Sequence, residues 1–220
     1  VNLLFLGPPG AGKGTQSRLL SSRLGIPQIS TGDMLRAVIA SNSALGHEAN
    51  RLLSKGDLVP DEVMIGIVGE RLRQPDAASG FILDGFPRTI AQAQALDTVL
   101  ISLGRQLDRV IFFDIAEEAL IKRLSGRRVC RSAGHIYNIH YNPPKRDGVC
   151  DLDGSEVYAR DDDRPETVRH RIKIYREQTE PLLAFYQARS LFTAIRAQGN
   201  VDEITDALLA ALPLSKKAKS

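Results

Sequence analysis

The chain opens with Val1-Asn2-Leu3-Leu4-Phe5-Leu6 and runs straight into Gly7-Pro8-Pro9-Gly10-Ala11-Gly12-Lys13-Gly14-Thr15. The first six residues are an apolar run broken by a single Asn, which fits a strand buried on both faces. Leu19, Leu20 and Leu24 then mark a helix, so the glycine-rich stretch joins a strand to a helix. That is the context a Walker A phosphate loop requires. Glycines let backbone N–H groups turn inward around phosphate oxygens where a side chain would clash. The helix beginning near Lys13 adds the positive end of its dipole, and Lys13 itself a mobile full charge for the β- and γ-oxygens. Gly10, Ala11, Gly12, Lys13, Gly14 and Thr15 are thus the expected contacts for a nucleoside triphosphate. Gly14 occupies the place directly after the lysine, so a magnesium-binding hydroxyl is missing there and Thr15 is its nearest substitute.

Outward from this loop the same alternation continues. Gly80–Asp84, Val110–Ile115 and Leu191–Ile195 read as further buried strands, with helical patterns between them at Val63, Ile67 and Leu72 and at Val168, Ile172 and Tyr175. Strands alternating with helices imply parallel βαβ units and an α/β fold. Two segments break the rhythm. Residues 30–59 read as helical pieces without a core strand, with Leu35, Val38, Ile39, Leu52 and Leu53 as their apolar face. Residues 127–163 lose helical periodicity and carry Gly, Pro, Asn and Asp turn signals around runs such as His135–Tyr141, the pattern of a small antiparallel flap. It ends at Asp163-Arg164-Pro165-Glu166, which reads as a capping box opening the next helix. Ser215–Ser220 form a Lys-rich polar tail.

Composition narrows the classes. The 220 residues carry 29 Lys+Arg against 26 Asp+Glu, a net charge of +3, milder than a dedicated nucleic-acid binder shows. Hydrophobic content of 43% supports a sizeable core. No apolar run approaches the ~18 residues of a membrane span, and the six residues before the glycine loop are too short for a signal peptide. Two cysteines make no disulfide framework, so a reducing compartment, the cytoplasm, is expected. Of the cations 21 are Arg and 8 are Lys, an excess that either reflects multi-oxygen anionic ligands or drift in base composition. A base-reading Asn-Lys-x-Asp is absent, which argues against a GTPase, and motors and helicases are normally longer.

A second motif, Asp84-Gly85-Phe86-Pro87-Arg88-Thr89, sits at the carboxyl end of a strand, the edge that faces the phosphate loop in a parallel sheet. An acid there can hold magnesium through water and Arg88 can reach a phosphate. Together with the phosphate loop, Ile29–Arg36 (ISTGDMLR), Leu58–Glu62 (LVPDE) and Asp84–Gln92 (DGFPRTIAQ), in this order and spacing, resemble the signature stretches of adenylate kinases over nearly the whole chain. The long insert makes it similar to the long, bacterial-type form.

The resemblance implies a three-layer P-loop fold with a five-stranded parallel sheet. Its core would be 1–29, 60–126 and 164–220, with a helical AMP-binding insert over 30–59 and a β lid over 127–163. It implies reversible γ-phosphoryl transfer from MgATP to AMP, giving two ADP. It places AMP against Thr31, Arg36, Val59, Gly85, Arg88 and Gln92, with Arg36 and Arg88 on the phosphate and Gln92 on the adenine edge. UMP/CMP kinases carry an Asn-rich stretch after the Phe-Pro-Arg, where Thr89-Ile90-Ala91-Gln92 here favours adenine. Arg123, Arg127, Arg160 and Arg171 would converge on the ATP phosphates and the transferred group, Arg160 and Arg171 also meeting AMP. Arg123 and Arg127, four apart, are expected on one side of a single helix. Lys13, Arg88, Arg123, Arg160 and Arg171 are the expected catalytic residues, Asp84 and Thr15 the expected magnesium contacts, and a monomer the expected state. A kinase for another small acceptor and a non-catalytic nucleotide-binding module are the rival readings.

Some members of the family hold a structural zinc in the lid through CxxC…CxxC or CxxC…CxxD. Here Cys130, Cys150 and Asp153 match but Ala133 replaces one ligand, with His135 two residues beyond as a conceivable fourth. A metal-free lid packed by small buried thiols is therefore expected, with structural zinc and a redox-sensitive cysteine pair as the alternatives.

Overall fold

A computed structural model describes residues 1–41 and 43–212, so the expected Lys-rich tail lies outside the described residues. Five parallel strands form the main sheet: β1 (Asn2–Leu6), β2 (Gln28–Ser30), β3 (Phe81–Asp84), β4 (Arg109–Asp114) and, after a separate small sheet, β8 (Phe192–Arg196), in the order β2-β3-β1-β4-β8. The central strand β1 pairs with β3, Leu3 opposite Ile82 and Phe5 opposite Asp84, and with β4, Leu4 opposite Val110. From β1 the chain leaves towards β2 and β3 and later crosses to β4 and β8, so the connections diverge beside the carboxyl end of β1. That divergence opens a crevice there.

Alternation along β1 explains the three layers. Leu4 and Leu6 point into one core with Phe81, Leu83 and Val110, packed by α4 (Asp61–Leu72), α5 (Ile90–Ser102) and α8 (Leu182–Gln187). Leu3 and Phe5 point into the other with Ile82, Ile111 and Phe113, covered by α1 (Lys13–Leu24), α6 (Glu117–Ser125), α7 (Pro165–Ile174) and α9 (Val201–Ala211). A strand clothed on both faces needs apolar residues at every position, which is why the period-2 pattern is absent from the sequence. The expected strands and helices all form, within a residue or two at their ends. β2 is only three residues long, too short to register as an apolar run.

The two interruptions also form as expected. Residues 30–59 hold α2 (Thr31–Ala40) and α3 (Ala44–Lys55); the flap is a three-stranded antiparallel sheet of β5 (Arg127–Cys130), β6 (Ile136–Asn138) and β7 (Val157–Tyr158). Two local expectations fail. No capping box forms at Asp163, because Arg164 is the N-cap of α7 and makes no side-chain cap, while the Asp163 carboxylate turns instead to Arg127 and Arg171. Arg123 and Arg127 do not share a helix: α6 ends at Ser125, and Arg127 begins β5.

Ile82 is fully buried in β3, between β2 and the central strand. Ile82→Ala is expected to cost about 2–5 kcal/mol. Urea unfolding would show this as a lower midpoint at unchanged slope.

Candidate active site

The phosphate loop leaves the carboxyl end of β1 and enters α1 at Lys13. Gly12 caps that helix in the left-handed region, at φ 95°, without a side-chain hydrogen bond, so the first N–H groups are not claimed by a cap. Gly10 has φ +85°, and a Cβ on it would meet Leu124 Cγ at 2.8 Å. The loop is thus wedged against α6 and only glycine fits there. Lys13 Nζ donates back to the carbonyls of Gly7 (2.7 Å) and Pro8 (2.9 Å). Burial lowers its pKa to about 8, with the nearby Asp84 carboxylate opposing the fall. Burial in turn pushes the Asp84 carboxyl up, against the pull of Lys13. Asp84 Oδ2 lies 3.5 Å from where a Cβ on Gly14 would stand, so the acid faces the loop directly. A carboxylate penalised by burial beside a phosphate loop is a site a hydrated divalent cation fits. Thr15 lines the same wall.

A cleft of about 1090 Å³ opens over the loop. Arg36, Arg88, Arg123, Arg127, Arg160 and Arg171 all line it, together with Gly10, Ala11, Gly12, Lys13, Gly14, Thr15, Asp84 and Gly85. Burial lowers Arg88 to about 10, with repulsion from Arg171 adding to it. Burial likewise lowers Arg160 to about 10, helped by Arg127, and lowers Arg171. The Arg160 Nε is buried without a hydrogen-bond partner. For Arg127 burial also works downward, but the Asp163 carboxylate outweighs it and the net shift is upward. Arg127 holds Asp163 through two bonds of 2.7 and 2.5 Å, and Arg171 reaches Asp162 at 2.9 Å and Asp163 at 3.3 Å. Asp33 pairs with Arg36 and stands 3.9 Å from Arg160. Against burial, these arginines hold Asp33 and Asp162 below the usual carboxylate range. The cations are concentrated, desolvated and only partly neutralised, which is the electrostatics of a polyphosphate site.

A second, narrower pocket collects Thr31, Val59, Gly85, Arg88 and Gln92 between apolar walls of Leu35, Leu58 and Met64. Thr31 Oγ1 and Arg88 Nε each donate to the Gly85 carbonyl at 2.8 Å, and the Arg88 N–H donates to Gln92 Oε1 at 2.7 Å. At about 20 Å³ it is too tight as it stands to enclose a purine.

Some residues here carry no sequence expectation. Asp33 stands three before Arg36 on α2, and that spacing was the available signal. Tyr141 lies 6.0 Å from the Arg123 guanidinium and 5.6 Å from the Lys122 ammonium, and Tyr137 and Tyr141 line the cleft only because the flap folds over it. Ile136 of the flap comes within 3.7 Å of a Cβ position on Gly14, and Gly134 within 3.0 Å of Arg18 by the same measure, so the flap sits directly above the phosphate loop.

Away from the cleft, the flap has its own cluster. Cys130 and Cys150 are buried, and donor atoms of Cys130, His135, Cys150 and Asp153 all lie within 4.8 Å of one another. Cys130 Sγ is 3.1 Å from Asp153 Oδ2; His135 Nδ1 is 3.2 Å from Cys150 Sγ and 3.4 Å from Asp153 Oδ2. With metal–sulfur bonds of ~2.3 Å and metal–nitrogen bonds of ~2.0 Å, ligands at tetrahedral corners stand roughly 3.3–3.8 Å apart, so the donor set fits a zinc-sized ion. Ser155 Oγ at 2.9 Å and the Ala133 N–H at 3.4 Å lie on Cys130, and Tyr137 OH at 3.3 Å on Cys150. Burial raises the Cys130 thiol, but these donors outweigh it and the net shift is downward. Ala133 leaves a gap in the sequence pattern that His135 fills in space.

The family comparisons agree with this geometry. The adenylate kinase family model matches residues 5–191. A protein of Archaeoglobus fulgidus named adenylate kinase is 52% identical over 204 residues, covering 93% of this chain and 94% of that one. Adenylate kinases of Thermodesulfovibrio yellowstonii, 49% identical over 96% of this chain and 99% of the relative, and of Streptomyces avermitilis, 47% identical over the full length of both, extend the likeness to both ends. With a phosphate loop, a cationic cleft and a likeness of this extent, the chain belongs to the adenylate kinase family.

Proposed function

We propose that the phosphoryl exchange between ATP and AMP that defines an adenylate kinase runs here along the cleft, with the phosphate loop holding ATP and the Thr31–Gln92 pocket holding AMP. The observation that supports this most is the convergence of Lys13 and seven arginines, Arg18 among them, on one cleft that adjoins a pocket containing Thr31, Val59 and Gln92. Gly10, Ala11, Gly12, Gly14 and Thr15 offer backbone donors to the ATP phosphates, with Lys13, Arg123 and Arg127 as full charges. Arg36 and Arg88 hold the AMP phosphate, Gly85 and Val59 border the base and Gln92 reads its edge. Arg160 and Arg171 span the two phosphates. In-line transfer spreads negative charge over equatorial oxygens, and these cations stabilise it by position. No general base is needed, since the acceptor phosphate is already an anion.

Magnesium, when bound with ATP, would supply charge neutralisation to the phosphates, and Asp84, through water, with Thr15 would hold it. The insert over 30–59 and the lid over 127–163 close on the 1–29, 60–126 and 164–220 core and exclude water, which would otherwise hydrolyse ATP. No helix among the described residues is long and apolar enough to cross a membrane. A cytoplasmic monomer acting on free ATP, AMP and ADP, without nucleic acid, is the working state we propose.

The four-donor cluster favours a structural metal in the lid, with His135 in place of the missing ligand, over the metal-free lid that the sequence suggests. Such an ion would tie the flap together and stands outside the chemistry. Protein purified without added zinc is expected to contain about one zinc per chain, and Cys150→Ser to lose it. Metal-free protein whose melting is indifferent to chelator would return the lid to the thiol-packed state.

Incubating ATP with a panel of nucleoside monophosphates should give ADP efficiently with AMP alone. ATP binding without transfer would support a non-catalytic module, and transfer to another acceptor a different kinase. Arg123→Ala is expected to lower kcat by about 10²–10³-fold while leaving the fold intact by circular dichroism.

The pH profile follows from Lys13, whose lowered pKa of about 8 leaves it neutral above that pH in the free enzyme. kcat/KM for ATP should therefore fall above about pH 8, whereas kcat holds to higher pH because bound phosphates favour the charged amine.

A further inference from the structure

Beside the narrow pocket, Asp61 makes contacts that phosphoryl transfer does not call for. It opens α4, and its two carboxylate oxygens are both engaged: Oδ1 accepts from Gln92 Nε2 at 2.7 Å and Oδ2 from Thr89 Oγ1 at 2.8 Å. Gln92 is 2% exposed, and its Oε1 accepts from the Arg88 N–H. Thr89, the N-cap of α5, also accepts from the Gln92 N–H at 3.1 Å.

A glutamine amide is nearly symmetric in shape, so by itself it can present its oxygen and nitrogen either way round. Here it cannot. Turned over, its oxygen would face the Asp61 carboxylate and its NH₂ would face the Arg88 N–H, replacing two hydrogen bonds by two like-polarity contacts. One orientation is fixed, leaving one free N–H on Nε2 and one free lone pair on Oε1, in a defined order.

We propose that Asp61 is a specificity-positioning residue that locks the Gln92 amide in the orientation complementary to a 6-aminopurine. This rests on the reading that Gln92 faces the base edge. Adenine offers an amino donor beside a ring-nitrogen acceptor, which the locked pair of lone pair and N–H matches. A 6-oxopurine offers an acceptor beside an N1–H donor, the reverse order, which a freely turning glutamine could meet by flipping. Asp61 thus discriminates between bases without touching either one.

The test compares kcat/KM for AMP and inosine 5′-monophosphate, which differs from AMP only in this donor–acceptor order, at saturating ATP in the full chain. Asp61→Asn, whose own amide can meet the Gln92 amide either way round and leaves the Arg88 N–H as the one remaining constraint, is expected to narrow the AMP preference by about three- to tenfold, mainly through KM. Asp61→Ser, whose hydroxyl can donate or accept, carries the same expectation should the Asn variant fold poorly. Gln92→Leu separates the two readings. A preference unchanged within twofold in both Asp61 variants, yet collapsed in Gln92→Leu, overturns the lock and keeps Gln92 as the base reader. A preference unchanged in Gln92→Leu as well overturns both.

Discussion

Charge confinement is the constraint that the rest of this molecule answers to. Lys13 and seven arginines face one cleft, and burial pulls Lys13, Arg88, Arg160 and Arg171 below their ordinary pKa values. Asp33, Asp162 and Asp163 stand among the guanidinia and offset part of this charge, while Lys13 folds back on its own loop. Removing one partner of a buried pair leaves an uncompensated charge, so Asp163, with 3% of its side chain exposed between Arg127 and Arg171, links the first strand of the flap to α7 and to the electrostatics of the cleft.

The sheet makes that confinement affordable in geometric terms. Both faces of β1 are buried, which fixes the carboxyl end from which the phosphate loop springs, and α6 wedges against Gly10 from the side. Sites that act by position alone depend on such rigidity, because no proton transfer or covalent step compensates for a misplaced charge.

Much of this was legible in the residues. Continuous apolar runs at 1–6, 80–84, 110–115 and 191–195 announced buried parallel strands, and strand, glycines and lysine together announced the phosphate loop. The three-residue β2 was not, since its edge position needs few apolar side chains. Asp163 was misread because local pattern favours a cap, while in the fold two arginines from distant segments compete for the same carboxylate and win on charge. Arg123 and Arg127 reach one cleft for a reason that spacing does not contain, a change from helix to strand between them. His135 illustrates the same limit: sequence spacing ranks it below Ala133's empty place, whereas the turn after β5 carries it beside Cys150. Asp61 is invisible from sequence for a related reason, as its partners Thr89 and Gln92 lie on another helix.

The lid cluster has a mechanical meaning apart from any metal. Cys130 and His135 lie at one turn and Cys150 and Asp153 at another, and together they tie the two turns of the flap to each other at a point away from the cleft. Tied in this way, the two turns form one unit and cannot separate without breaking the contacts among these four side chains.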